Sequence, residues 1–401
     1  PFPRVIAVTP NPRRDTEGRD QLWTLALTLE ADDVLGQKLN LMGYGMGQQF
    51  RQRANFQDFN GGDPDFFSDN RTNSTYGLRG TLNKDLDLGG DARLNFSYGL
   101  DWRRDRLIRL LLDPDDTGIV TGFIAPEIIL NSTGLFGQAE LKLGALRLSG
   151  GLRNEWYRGR IGDELAGLGL SGEGTPGRLA PASLLLANLG AVWSVADDVQ
   201  LFASFNQGAE LTQLGRAARR ATDPSIISPE PARSDQYEVG VRGRAGAVDF
   251  TLAGFYSRSA AASLLQPDPT CAGESFCPLI PLRVPQRVWG AEATARWQAS
   301  KQLAVGGLFT WQRGEIFDED FGRFIPFGAD TVSPTRVTAY ADWAPVETVS
   351  ARLQATWVAA ANFFTPAEQA FGFINTPSNF LVDVSAGWQL GPGELTVGAS
   401  N

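Results

Sequence analysis

Residues 287–298 read RVWGAEATARWQ, and the period of two in that run decides the fold. Side chains on a strand point alternately to opposite faces. One face here takes Trp289, Ala291, Ala293, Ala295 and Trp297, and the other takes Gly290, Glu292, Thr294, Arg296 and Gln298. A soluble sandwich also alternates, but it fills its buried face with bulky aliphatic side chains. Here small residues are bracketed by an indole at each end. At ~3.3 Å per residue and a tilt of ~40°, two Trp eight residues apart stand about 20 Å apart along a membrane normal, close to the ~25 Å lipid-facing band of an outer-membrane barrel.

The same two-faced pattern spreads in both directions. In residues 92–103, Leu94, Phe96, Tyr98, Leu100 and Trp102 oppose Arg93, Asn95, Ser97, Asp101 and Arg103. In 336–343, Val337, Ala339, Ala341 and Trp343 oppose Arg336, Thr338, Tyr340 and Asp342; in 234–242, Tyr237, Val239 and Val241 oppose Gln236, Glu238, Gly240 and Arg242. Unpaired charges on the inner face of a dry core would be ruinous. A wet or protein-filled lumen accepts them, and Arg79, Arg93, Glu140, Arg147, Glu238, Arg242, Glu292, Arg296 and Arg352 are the charges expected to face it.

The pattern runs from about Leu22 to Ser400 without a break in composition, so residues 1–401 are read as one domain. A helical membrane protein needs apolar runs of ~20 residues; the richest run here, 183–195, is interrupted by Asn188. The net charge of -9 argues against a nucleic-acid partner. There is no histidine, which removes Ser-His and Asp-His catalysis and ordinary Cys/His zinc sites. No enzymatic activity, catalytic residue, resident cofactor or metal is therefore expected. The two cysteines, Cys271 and Cys277, are expected to form a disulfide clipping one surface loop in an oxidising compartment. The chain opens Pro1-Phe2-Pro3 with neither Met nor a signal peptide, the expected start of an internal or processed piece.

Period-two segments bounded by turn residues predict about sixteen strands. They fall near 21–31, 38–52, 74–86, 92–108, 132–143, 145–158, 183–195, 199–209, 234–244, 247–261, 285–299, 302–314, 335–344, 350–361, 379–390 and 394–400. Short connections follow the odd members. Connections of roughly 15 to 25 residues follow the even ones, at about 53–73, 109–131, 159–182, 210–233, 262–284, 315–334 and 362–378. Strict alternation of short turns and long loops predicts an all-β, antiparallel, up-and-down transmembrane barrel with its long loops outside the cell. Sixteen strands is also a porin number, so a passive porin is the alternative.

Residues 181–211 (PASLLLANLGAVWSVADDVQLFASFNQGAEL) resemble a strand, acidic turn and strand of the TonB-dependent outer-membrane receptors, ending in the aromatic step Phe202-Ala203-Ser204-Phe205. Residues 228–240 (SPEPARSDQYEVG) are similar to that family's "P-E-x-S/A…Y-E-x-G" signature, followed by Gly254-Phe255-Tyr256. Residues 135–157 (LFGQAELKLGALRLSGGLRNEWY) are similar to its "F-x-Q-x-E…L-x-G-G-x-R" hairpin, and 380–401 to its penultimate hairpin. The closest likeness is to receptors for ferric siderophores. The resemblance implies a 22-stranded parent in the bacterial outer membrane, with an N-terminal plug bearing a TonB box. Plug, first five strands and closing strand are expected to lie outside this sequence. It also implies TonB, acting through that plug, as a partner. Iron enters only within the chelate, and the expected ligand is a ferric siderophore of hydroxamate or citrate type; cobalamin and oligosaccharide are the alternatives.

Candidate ligand residues are those able to meet an anionic chelate from a loop or a strand's outer end. Guanidinium groups pair well with carboxylate and hydroxamate oxygens, which selects Arg216, Arg219 and Arg220 in LTQLGRAARR, together with Arg103, Arg106, Trp156, Tyr157 and Arg158. The competing roles are a solvated loop, a contact with lipopolysaccharide or membrane lipid, and, for Trp156, the aromatic girdle. The acidic run 56–70 offers Asp63, Asp65 and Asp69 to a cation, but without the spacing of a calcium loop. Asn73 and Asn131 head glycosylation-type triplets that carry no meaning in a bacterial outer membrane.

Overall fold

Alternation along the chain becomes one antiparallel sheet. The computed structural model describes residues 17–56, 65–112, 119–170, 172–210, 214–219, 221–227, 229–267, 279–319, 321–328, 332–361 and 375–401. The first half runs β1 (Glu17–Ala31), β2 (Lys38–Phe56), β3 (Asp65–Gly89), β4 (Ala92–Leu112), β5 (Val120–Leu143), β6 (Leu146–Ile161), β7 (Gly177–Arg178), β8 (Ala182–Ala196) and β9 (Val199–Glu210). The second half runs β10 (Ala232–Ala245), β11 (Val248–Pro267), β12 (Leu279–Gln298), β13 (Leu303–Asp318), β14 (Arg323–Pro326), β15 (Arg336–Val346), β16 (Val349–Val358), β17 (Asn379–Leu390) and β18 (Gly393–Ser400). Setting aside the two-residue β7 and four-residue β14, eighteen strands leave the sixteen long ones that the sequence predicts. Each long strand pairs with the next, so the sheet is a meander without crossovers. Among the described residues no helix is long and apolar enough to cross a membrane.

The tryptophans fall into two tiers. Trp193, Trp297, Trp343 and Trp388 lie beside the short turns, opposite Leu201, Val305, Ala351 and Leu395. Trp23, Trp102, Trp156, Trp289, Trp311 and Trp357 lie toward the other end of their strands. Between the tiers, Leu25, Leu27, Leu152, Leu189, Val239, Leu252, Leu353 and Val397 are each more than half exposed. An apolar band of that extent has lipid, not water, as its surroundings.

The strands outlast their expected ends at the loop side. Loops expected at 53–73 and 109–131 are largely sheet, because β2 continues to Phe56, β3 starts at Asp65, β4 reaches Leu112 and β5 starts at Val120. The segment after β9 is not structureless either. It holds a single helical turn, α1 (Leu214–Ala217), and a 3-10 turn at Pro224–Ile226. Asp223 caps that second turn by accepting from the Ser225 amide at 2.9 Å.

The sheet is curved. From β5 to β12 there are six strand-to-strand steps, or roughly 29 Å along a flat sheet at ~4.8 Å each, yet Cα atoms of α1 lie within 8 Å of both strands. Only a wall bent around α1 brings them so near one turn of helix.

Candidate ligand-binding vestibule

From just inside the outer indole tier outward, the inward faces of β3 to β6 carry a lattice of charge. Arg79 reaches Asp101 at 3.4 Å, and Arg153 grips both oxygens of Asp101 at 2.8 Å. Arg153 also binds Glu155, which accepts from the Tyr157 hydroxyl. Arg103 donates to Asp105 at 2.7 Å, as does Thr75. One step further out, Arg109 Nε donates to both oxygens of Asp69 at 2.9 Å, with Asp69 2% exposed. Period two places these residues on one face of each strand, so bonds form both across strands and between residues two apart on the same strand.

Two connections fold over that face. Thr175 donates its amide to the Ala221 carbonyl at 2.8 Å and Ala180 to Ile227 at 3.1 Å, joining segment 162–181 to segment 211–231. Together they close an apolar cluster of Ile128, Leu130, Tyr157, Ile161, Leu179, Leu184, Leu214 and Ala218. Leu214 and Ala218 are four apart, so one turn of helix presents both to the wall, and the Ala218 amide donates to the Leu214 carbonyl at 2.8 Å. A Cβ at Gly215 would stand 2.6 Å from that of Ala125, so glycine lets α1 sit flush on β5.

Arg216 rides on α1 at this narrowed mouth, within electrostatic reach of Arg109 and Arg71. Burial, and then repulsion from those two guanidiniums, holds its pKa below the ordinary arginine value. No carboxylate pairs with Arg216 among the described residues. Three guanidiniums therefore share the neighbourhood with Asp69 as the carboxylate bonded to one of them. Such a surplus draws anions and presents forked donors to carboxylate oxygens.

Parity divides the predicted residues. Arg103 and Tyr157 stand on the lumen face, Arg103 paired with Asp105 and Tyr157 buried in the apolar cluster. Trp156 and Arg158 stand on the opposite, outward face in a groove with Trp102, Asn131 and Thr133, so neither lines the mouth. Arg106 is held at the rim by Glu127 at 2.5 Å and by Glu164. Arg219 packs beside Gly172, at whose Cβ position its Nε would lie 2.8 Å away. Arg220, Cys271, Cys277 and Asp63 lie outside the described residues. Of the acidic run, Asp69 is engaged by Arg109, and among the described residues no group of three carboxylate or thiol side chains converges on a metal position. Four of the nine inward charges find ion-pair partners on adjacent strands among the described residues, Arg79 with Asp101, Arg147 with Glu140 and Arg352 with Asp342. Arg71 and Arg109 were not expected at the site, although counting by twos from Arg79 and from Asp101 reaches both.

Known proteins agree with this architecture. A curated relative, the rhizobactin receptor of Rhizobium meliloti (strain 1021), is 23% identical over 360 residues, covering 80% of this chain and 46% of its own length. The chain thus spans about half of that relative. Among solved structures, the copper transporter OprC superposes with a TM-score of 0.76 at 15% identity, over 97% of this chain and 61% of that one. The siderophore receptor PiuA from Acinetobacter baumannii gives 0.69 at 12% identity, over 96% and 60%. At such identities these likenesses speak for the fold. The family model "TonB dependent receptor-like, beta-barrel" matches residues 3–401 and sets the porin alternative aside. With its two indole tiers, inward charge and folded-in outer loops, the chain belongs to the β-barrels of the TonB-dependent receptors, non-enzymatic proteins of the bacterial outer membrane.

Proposed function

We propose that the receptor containing this barrel captures an anionic ferric siderophore, of citrate or hydroxamate type, at its outer mouth and imports it in a TonB-dependent step. The observation that carries this reading is Arg216, half-buried on α1 with no carboxylate partner among the described residues and within electrostatic reach of Arg109 and Arg71. A chelate whose oxygens are already shared with iron still offers carboxylate edges, and these match guanidinium forks. Likeness to a receptor named for rhizobactin supports the substrate class. The iron travels within the ligand, and the barrel's own residues bind and select without chemistry on it. A plug inside the barrel, drawn by TonB, is the family's means of release.

The test is binding to the full-length receptor in detergent, followed by quenching of tryptophan fluorescence. Ferric citrate or a ferric hydroxamate is expected to saturate, and Arg216→Gln to weaken that binding roughly tenfold, as for loss of one charge-assisted contact. Saturation by cobalamin or an oligosaccharide, with none by ferric siderophores, overturns the substrate class.

A further inference from the structure

The outward face of β4, β5 and β6 is built in tiers. Trp102, Thr133 and Trp156 lie opposite one another across the three strands. Two residues further out, the next row on the same face is Arg104, Asn131 and Arg158. Toward the membrane centre lie the exposed side chains of Leu100, Leu135 and Leu152. A groove of about 590 Å³ runs between the two Trp, lined by Asn131, Thr133 and Arg158.

The corresponding row elsewhere on the wall is neutralised. Tyr237, Tyr256 and Trp289 form the aromatic row on β10 to β12, and the row beyond it is Asp235, Arg258, Arg287 and, on β13, Glu315. Arg258 pairs with Asp235 at 3.3 Å, and Arg287 donates to Glu315 at 2.7 Å. On β4 to β6, by contrast, Arg104 and Arg158 are exposed and have no carboxylate partner among the described residues. Neighbouring Arg106 and Arg160 do have such partners, in Glu127, Glu164 and Asp163.

We propose that this outward patch binds a phosphorylated glycolipid of the outer leaflet. Indoles settle at the boundary between acyl chains and headgroups, so guanidiniums one row beyond them stand at headgroup depth. Arg104 and Arg158 flank β5 and sit two strand spacings, about 10 Å, apart. A phosphate between them accepts from both forks and from the Asn131 amide. The sugar ring lies against Trp102 and Trp156, and the acyl chains run down over Leu100, Leu135 and Leu152. A soluble acidic protein offers the anion without the chains, and inorganic phosphate offers neither ring nor chain. A glycolipid supplies all three at the depths where the wall has matching groups.

The test is native mass spectrometry of the full-length receptor in detergent, titrated with bisphosphorylated lipid A, its dephosphorylated form, phosphatidylglycerol or inorganic phosphate. Lipid A is expected to bind, and the Arg104→Gln/Arg158→Gln double variant to bind it roughly 30-fold more weakly, the loss anticipated for two headgroup-level arginines. Arg258→Gln/Arg287→Gln, on the neutralised row, is expected to leave lipid A binding unchanged. Heat-modifiable migration on gels confirms that each variant is folded. Should the double Gln variant not fold, Arg104→Lys/Arg158→Lys keeps the charge but loses the fork and is expected to bind several-fold more weakly. Undiminished binding by the folded Gln variant, or by the Lys variant where it stands in, overturns the proposal. So does equal binding of dephosphorylated lipid A, or full competition by phosphatidylglycerol or inorganic phosphate.

Discussion

The wall has a tall side and a short side. β3, β4 and β5 are 25, 21 and 24 residues long, whereas β15, β16 and β17 are 11, 10 and 12. A tilted strand needs only about 9–11 residues to cross a bilayer. The short side is thus membrane wall and little more. On the tall side the surplus length rises clear of the lipid, and there the buried ion pair, the inward-folded connections and the arginine surplus are found. Length beyond the crossing requirement marks the side that carries the proposed ligand mouth.

The sharpest way to break that contrast is to compare one ion pair from each side. Arg109→Ala strands the carboxylate of Asp69, 2% exposed, and is expected to cost about 3–5 kcal/mol in urea unfolding of the refolded barrel. Asp69→Asn in the same background should recover much of it; a loss below 1 kcal/mol would show that water reaches Asp69. Next comes a joint common to both sides. The Tyr44 ring lies over Gly77 on the tall side, and Tyr340 lies over Gly306 on the short side. Gly77→Val and Gly306→Val should each cost about 1–3 kcal/mol by overpacking, and unequal losses would mean the two halves are packed differently throughout.

Smaller again is the short side's own ion pair. Arg352 and Asp342 are 3.3 Å apart with side chains 45% and 34% exposed, so Arg352→Ala is expected to cost no more than about 1 kcal/mol. Smallest is a pH effect in the folded-in segment. The Ser225 hydroxyl and then its amide hold the Asp223 carboxyl below its ordinary pKa. Its stabilising contribution is therefore complete above about pH 4 and fades as the pH falls further. Proteolysis near Pro224 should quicken as the pH falls below about 4 in the native chain but not in Asp223→Asn; pH-independent cleavage of both would refute the cap.

Much of the short side was legible in the sequence because lipid on one face and lumen on the other enforce strict alternation. The strands expected at 335–344 and 379–390 match the observed bounds to within two residues. The rule weakens where strands leave the membrane. β4 continues past its expected end at 108 through Leu110, Leu111 and Leu112, where register shifts against β5 break the period. Arg71 and Arg109 fell beyond the expected strand ends for that reason. Trp156 and Arg158 illustrate a different failure: they are neighbours of Tyr157 in sequence, yet alternation sends them to the other side of the wall. The inward fold of α1 had only a faint signal, Leu214 and Ala218 spaced by four.

The paired charges along the inner face have a consequence for anything travelling through the barrel. Where Arg79 answers Asp101, Arg147 answers Glu140 and Arg352 answers Asp342, plus and minus alternate over a few ångströms. Their fields cancel within about one Debye length, ~8 Å at physiological salt. A charged solute beside those pairs meets little net field, in contrast to the arginine surplus at the mouth.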